Sequence, residues 1–543
     1  MSKDVIKNMS KRIKDILMLP FDKHLVLLLF LFTTLLPYMW LLVVVLKYIP
    51  YGYVMGAHCF LLAYFVTLLV SLIKQPRIRL VVQAILVVLA TVLFALNVYC
   101  LVEFQGLLDA DYLMLILNTN VNEATEFLTS VLRGSIVLGV GGFLVFFVLL
   151  WLLSRRYHLG IGGKFFYPVM GLLVVMFVSN LYHKNVWRDG PIVHVPYLFY
   201  SLNKNLLPSD LALNSTHPAV TYSQVDQRPA NVVLIIGESF SRSHSSLYGY
   251  EKQTNPRLGT LKNESLLFTF DSIRSADLRT SESISLMMGL CNKADRDNND
   301  KKWYEYTTLI ELMINSGYDT YWYSNQDRLG VYNGVARILA QSCNHVNFIR
   351  DGESMSRNAF DYELVDSSSQ VIAHMDSNFH FVVYHLMGSH FDYRMRYPEE
   401  YDLFSEKDYP DRLNNQREVL ATYDNSILYN DFVVEQIINL FSDKDAVVVY
   451  VPDHGQDMFE SAPDYFMHAK HNDPVSCFWG ARIPFMVYAS PSYIEHHPDM
   501  VRRMQERQNH PKSWDTEDLP YFIMDLIGAQ TINGVAVKTR SVL

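Results

Sequence analysis

Five stretches without a single Asp, Glu, Lys or Arg, at residues 25–46, 53–73, 80–102, 135–153 and 165–182, limit what this chain can become. About twenty apolar residues in a helix span the ~30 Å hydrocarbon core of a bilayer. A helix that is apolar all round has no solvated face to show. All five stretches lie in the first third of a 543-residue chain, so the sequence predicts a five-helix membrane domain over 1–182. The first is too long for a cleavable signal, and no small-residue cleavage site follows it. The N-terminal arm carries Lys3, Lys7, Lys11, Arg12, Lys14 and Lys23. The second connection carries Lys74, Arg77 and Arg79, and the fourth carries Arg155, Arg156 and Lys164. Against these twelve cations the opposite connections hold only Lys47 and Arg133. Cytoplasmic loops collect positive charge, which puts the N-terminus in the cytoplasm and everything after the fifth crossing outside. One outer loop, 103–134, has amphipathic helical spacing that would lay Tyr112, Leu115, Ile116 and Leu117 on the membrane surface. Its composition alone favours a plain linker helix.

Charge changes at the same boundary. Residues 1–183 hold 14 Lys and Arg against 8 Asp and Glu, whereas 184–543 hold 32 against 47. An acidic domain rich in Asp and His suits metal binding and argues against a nucleic-acid partner. Of five cysteines, Cys59 and Cys100 sit in apolar runs as small hydrophobic residues, while Cys291, Cys343 and Cys477 allow one disulfide whose pair the spacing does not choose.

Between 183 and 230 the sequence turns irregular, with Pro191, Pro196, Pro208, Pro218 and Pro229, as in a connector along the membrane surface. From 231 to 543 short apolar runs at 232–236, 320–323, 380–386, 446–451 and 485–488 alternate with helical patterns. That alternation predicts an α/β sheet covered by helices on both faces.

Polar residues gather where those runs end. Glu238 follows the run 232–236, and Asp453-His454-Gly455 follows 446–451. Met387-Gly388-Ser389-His390 follows 380–386, and His468 and His471 lie farther on. Open α/β sheets place their chemistry at the carboxyl ends of strands. Carboxylate oxygen together with imidazole nitrogen suits Zn²⁺, and Mn²⁺ also fits. Arg279-Thr280-Ser281-Glu282-Ser283 opens a helical pattern, which makes Thr280 or Ser281 the N-cap or an early helical residue. A phosphoryl group there would meet free N–H groups, and a hydroxyl beside a divalent cation ionises readily.

With Gly237-Glu238-Ser239, Arg242, Ser246–Tyr250, Thr254–Pro256, the Asp453-His454-Gly455 triplet and the Met387–His390 block, the chain resembles the bacterial phosphoethanolamine transferases. These modify lipid A and related envelope glycans and belong to the alkaline phosphatase/sulfatase superfamily. The resemblance runs nearly the whole length and implies a periplasmic sulfatase-like catalytic domain at 231–543 on an inner-membrane anchor. It implies Glu238, Asp453 and His454 as ligands of a catalytic Zn²⁺, with Thr280 as fourth ligand and nucleophile. His390 and His468 would protonate the leaving group or hold a second metal, with His471 an extra candidate beside them. A substrate-contacting set of Thr119, Glu123, Asn325, Arg328, His390 and His468 follows as well. Three departures stand out: three external cysteines in place of a set of disulfides, Leu115 where the family has Asn, and Leu329 where it has Lys, with Arg328 adjacent.

The implied reaction has two steps. Thr280 takes phosphoethanolamine from phosphatidylethanolamine, releasing diacylglycerol, and an envelope glycolipid, first of all lipid A, then accepts it. Core oligosaccharide or another surface glycan is an alternative acceptor. Ethanolamine at the cell surface would offset anionic charge and weaken cationic peptides. A glycerol-phosphate transferase like lipoteichoic acid synthase also fits Thr280-Ser281-Glu282-Ser283, while the SLYGY and TNP segments favour phosphoethanolamine.

Overall fold

The computed structural model describes residues 3–45, 49–104, 107–108, 134–157, 159–161, 165–182, 190–191, 194–196, 218–222, 228–294, 302–326, 334–350, 359–375, 378–463, 465–467 and 473–543. Thr119, Glu123, Arg328, His468 and His471 lie outside the described residues, as do Leu115, Leu329 and most of the 103–134 loop and the 183–230 connector. The described residues form two units, one up to 196 and one from 218 onward.

The first unit is helical. Tyr51–Ser71, Pro76–Leu101 and Gly139–Tyr157 are long and apolar enough to cross a membrane, and a fourth candidate is the pair Val5–Asp22 and Leu25–Thr34, bent by 62°. Phe166–Asn180 is apolar but shorter. Among the described residues three to four candidate spans thus stand where the sequence led to five, and the first expected run accounts for part of the difference. It breaks into Leu25–Thr34, Leu36–Trp40 and a π-helical turn, Leu41–Val45. Pro37, at the start of the second piece, has no N–H for the helical ladder. Just before it, the Thr33 and Thr34 hydroxyls donate back to the carbonyls of Leu29, Phe30 and Leu31, a substitution that bends helices. Met18, Phe21, Leu28, Phe30, Tyr64, Phe147 and Leu173 form the buried centre of this unit.

The second unit is built on a seven-stranded sheet. In chain order its strands are β1 (Asn231–Gly237), β2 (Leu267–Phe270), β3 (Asp319–Ser324), β4 (His345–Phe348), β5 (His380–His385), β6 (Ala446–Pro452) and β7 (Phe485–Ala489). They lie side by side as β2-β7-β6-β1-β5-β3-β4, and β7 runs antiparallel to both its neighbours. Every residue of β1 is buried, because alternate side chains enter different cores. Val232, Leu234 and Ile236 join one, with the helices Thr280–Met287, Leu309–Asn315 and Leu519–Leu526. Val233 and Ile235 join the other, under the long helix Asn414–Asn439. Each such side chain contributes about 1.5–3 kcal/mol when fully buried, which is why a central strand is apolar throughout. The predicted helix-covered α/β sheet is therefore present.

All five apolar runs are strands. The two edge strands, β2 and β4, are four residues each and carry no unbroken apolar run: Thr269 interrupts the fully buried β2, and β4, His345-Val-Asn-Phe, is partly exposed. Cys291 and Cys343 are buried and Cys477 is half-buried, and no disulfide links them.

Candidate active site

Parallel registry delivers the site. Gly237 pairs with Pro452 and Ile236 with His385, so β6, β1 and β5 end together. The next residues are Asp453, Glu238 and the loop leading to His390. Ser239 then turns the chain through a left-handed conformation at φ 57°. Its N–H donates to Asp453 Oδ1 (3.1 Å) and its hydroxyl to Glu238 Oε1 (2.7 Å). Tyr423, on the long helix, holds this turn from behind. Its hydroxyl donates to the Ser239 carbonyl at 2.8 Å and accepts from the Ser241 N–H at 2.8 Å.

Glu238, Asp453 and His454 are all buried, with one potential ligand atom each inside 4.8 Å of the others. The His454 Nδ1 lies 2.8 Å from the Gly455 carbonyl, which can only accept, so Nδ1 carries the proton. Nε2 faces Glu238 Oε1 at 3.5 Å and Asp453 Oδ2 at 3.4 Å. Asp453 Oδ2 accepts no hydrogen bond among the described residues. Burial, and then the neighbouring Asp453, push the Glu238 pKa well above the usual carboxylate range. Three electron-rich atoms converging out of water are unstable unless a cation lies among them. Two carboxylates and an imidazole held in place by the Gly455 carbonyl make a donor set suited to Zn²⁺. The residues fit the metal.

Thr280 stands beside them. Its hydroxyl is 3.3 Å from Glu238 Oε2 and 3.4 Å from His454 Nε2. Arg279 is the cap and Thr280 the first residue of the helix Thr280–Met287, whose positive end favours anionic groups there. The Ser283 hydroxyl, one turn along, donates to the Asp453 carbonyl at 2.5 Å and ties this helix to the end of β6. On the other side Asp277 anchors the approach through Arg279 (3.2 Å) and Lys293 (3.0 Å). Burial works against the Asp277 charge, yet these two cations prevail and hold its carboxyl below the ordinary range.

The loop after β5 is braced from beneath. Asp361 accepts from the N–H groups of Met387 and Gly388, each at 2.8 Å. Asn325, at the end of β3, donates to Asp361 Oδ1 (2.8 Å) and to the Ala359 carbonyl (3.0 Å), and accepts from Arg350 Nε at 3.3 Å. Asn325 is fully buried with both ends of its amide engaged, so it touches the site through the loop. His390 is half-buried, with Nδ1 2.7 Å from the Phe391 carbonyl. Gly388 has φ 51°, and a Cβ there would come within 2.8 Å of the Glu238 backbone N and O. Gly388→Ala is expected to lose about 1–3 kcal/mol of stability and to displace Glu238. Gly249→Ala isolates the backbone strain, since Gly249 has φ 95° and no neighbour within 4 Å. Thermal scans of the full-length variants should show both destabilised, with activity lost in Gly388→Ala alone.

A second buried cluster fixes the segment after Glu238. Asp424 accepts from His244 Nδ1 (2.6 Å), Tyr250 (2.7 Å) and Tyr409 (2.5 Å). Burial opposes a charged His244, but Asp424 and then Glu460 outweigh it and raise the His244 pKa. A raised histidine pKa means stability present below about pH 6.5 and lost as pH climbs through the folded-state value. Asp424→Ala is expected to cost about 3–5 kcal/mol, the range for stranding one partner of a buried pair. Asp424→Asn should flatten the pH dependence of Tm above neutrality.

Of the sequence candidates, the structure brings Glu238, Asp453, His454 and Thr280 together and sets Asn325 beneath the His390 loop. Ser239, Ser283, Asp361 and Tyr423 were not singled out. Ser283 had a local signal in the Thr-Ser-Glu-Ser run, whereas Asp361 and Tyr423 reach the site only through the fold.

Residues 230–529, more than half of the chain, match the sulfatase family. The phosphoethanolamine transferase EptC of Escherichia coli O18:K1:H7 is 26% identical over 447 residues, 78% of this chain and 76% of that protein. The Kdo(2)-lipid A phosphoethanolamine 7''-transferase of Salmonella typhimurium is 24% identical over 319 residues, 56% of this chain and 52% of its own length. The crystal structure of the periplasmic domain of Escherichia coli EptC, in complex with Zn, is 25% identical with a TM-score of 0.53. It covers 60% of this chain and 89% of that domain. The integral membrane lipooligosaccharide phosphoethanolamine transferase EptA of Neisseria meningitidis has the same fold, with a TM-score of 0.70 at 19% identity over 96% of this chain and 98% of that one. The chain belongs to the sulfatase family of the alkaline phosphatase superfamily, and its relatives there are the bacterial phosphoethanolamine transferases.

Proposed function

We propose that this protein moves phosphoethanolamine from phosphatidylethanolamine to an envelope glycolipid, lipid A first among acceptors, through a covalent intermediate on Thr280. The observation that carries this reading is the Thr280 hydroxyl held 3.3 Å from Glu238 and 3.4 Å from His454, at a helix N-terminus beside a metal-type donor set. The names of its relatives, phosphoethanolamine transferases of lipid A among them, support the substrate class. Zn²⁺ held by Glu238, Asp453, His454 and Thr280 supplies Lewis acidity that lowers the hydroxyl pKa and offsets phosphoryl charge.

Thr280 Oγ1 forms the new bond to phosphorus as the phosphorus–oxygen bond to diacylglycerol breaks. His390 or His468 gives the departing alkoxide its proton. An acceptor phosphate or hydroxyl oxygen then attacks the same phosphorus, and Thr280 is released. The helix N-terminus steadies the anionic group through both steps. Thr119, Glu123, Arg328 and His471 complete the substrate set in this reading. In this reading the chain crosses the membrane five times from a cytoplasmic N-terminus, the broken first run and the shorter helix Phe166–Asn180 each making one crossing, so that the catalytic domain would lie in the periplasm.

Fluorescent phosphatidylethanolamine and phosphatidylglycerol, offered separately to the purified full-length protein, test the donor. Labelled diacylglycerol is expected from phosphatidylethanolamine alone, and release from phosphatidylglycerol would overturn the assignment. Mass spectrometry of lipid A and core glycan from cells with and without the protein identifies the acceptor.

A further inference from the structure

The N-terminal helix Lys3–Asp22 has a construction the transfer reaction does not use. Val5, Ile6, Met9, Ile13 and Ile16 recur at helical spacing and are about half exposed. Lys7, Lys11 and Lys14, at i, i+4 and i+7, line one side of the opposite face. The helix is too basic to enter hydrocarbon and too apolar on one side to stand in water. It turns away from the following helix by 62°, as a segment leaving a span for the bilayer surface must. Only its far end, at Met18 and Phe21, is buried in the helical unit.

Between this helix and the start of Phe166–Tyr182 lies a cavity of about 240 Å³. Ile6, Met9 and Ile13 supply its apolar wall, with Ser10 and Lys14 at its polar side. The Lys14 ammonium stands 5.1 Å from the Phe166 ring centre and 5.4 Å from that of Tyr167. Cation–π contact of this kind holds a charge in place without neutralising it. An apolar slot with a fixed cation at its edge matches an acyl chain joined to an anionic headgroup.

We propose that this helix lies in the plane of the membrane and binds acidic phospholipid, of the phosphatidylglycerol class, in the slot it forms with Phe166 and Tyr167. Charge complementarity selects the lipid. A zwitterionic headgroup carries no net charge for the helix to meet, while an acidic one meets Lys3, Lys7, Lys11, Arg12 and Lys14 against Asp4, Asp15 and Asp22, and gains roughly fivefold in affinity per unit of that net positive charge.

Native mass spectrometry of the full-length protein, titrated with phosphatidylglycerol or phosphatidylcholine of identical acyl chains, tests the proposal. Wild type is expected to retain phosphatidylglycerol at least tenfold better. The triple variant K7Q/K11Q/K14Q should lose that preference, and K7R/K11R/K14R should keep it. Equal retention of both lipids by wild type, or undiminished preference in the glutamine variant, would overturn the proposal. Donor turnover stays a separate readout, since none of these lysines belongs to the catalytic constellation.

Discussion

Thr280→Ala is expected to lower diacylglycerol release by roughly four to six orders of magnitude, the usual consequence of deleting a covalent nucleophile. The fold should barely notice. Thr280 is half-buried, and its hydroxyl contacts to Glu238 and His454, at 3.3 and 3.4 Å, are long for hydrogen bonds. Thr280→Ser keeps the oxygen and loses the methyl that fixes its rotamer, so it should retain activity within roughly a hundredfold of wild type. Turnover of fluorescent phosphatidylethanolamine by the two variants, beside thermal scans, separates a missing nucleophile from a damaged fold. Near-normal turnover by Thr280→Ala would remove the covalent step from the account.

The second large effect concerns the cation. Chelation should destabilise wild type by roughly 3–4 kcal/mol if metal had been present at a hundred to a thousand times its Kd. Glu238→Gln and Asp453→Asn should lose most of their bound metal, lose activity, and show a Tm indifferent to chelator. The metal-free proteins should then reverse their order. In metal-free wild type two buried carboxylates oppose each other, and burial together with Asp453 raises the Glu238 pKa. A raised carboxyl pKa means stability present below the ordinary 4.5 and lost as pH rises through the folded-state value. At neutral pH the metal-free Glu238→Gln variant should therefore melt above metal-free wild type, and the gap should close on acidification. Elemental analysis and thermal scans between pH 4 and 8 provide the check.

Much of the site was visible in the sequence because it lies where strands end. Glu238, Asp453 and His454 each follow an unbroken apolar run, and a strand buried on both faces leaves no ambiguity about its end. The edge strands lack that signature for different reasons: His345 and Val346 of β4 are exposed, while β2, buried at all four positions, is short and interrupted by Thr269. The brace beneath the His390 loop was invisible for a different reason. Asp361 and Asn325 are 36 residues apart and become partners only through the sheet. Tyr423 likewise reaches the Ser239 turn across 184 residues from the middle of a long helix whose pattern signals packing alone. The first membrane run was misjudged in continuity, because Pro37 and the back-bonding of Thr33 and Thr34 break a stretch that hydropathy alone treats as uniform.

The account stands on Thr280 bearing the transferred group, and mass spectrometry of the peptide that contains it is the direct test. Full-length protein incubated with phosphatidylethanolamine and no acceptor, then quenched in acid, should carry one phosphoethanolamine unit on Thr280. The adduct should disappear when acceptor glycolipid is added. Release of diacylglycerol with Thr280 unmodified, or with the adduct on another residue, would contradict it.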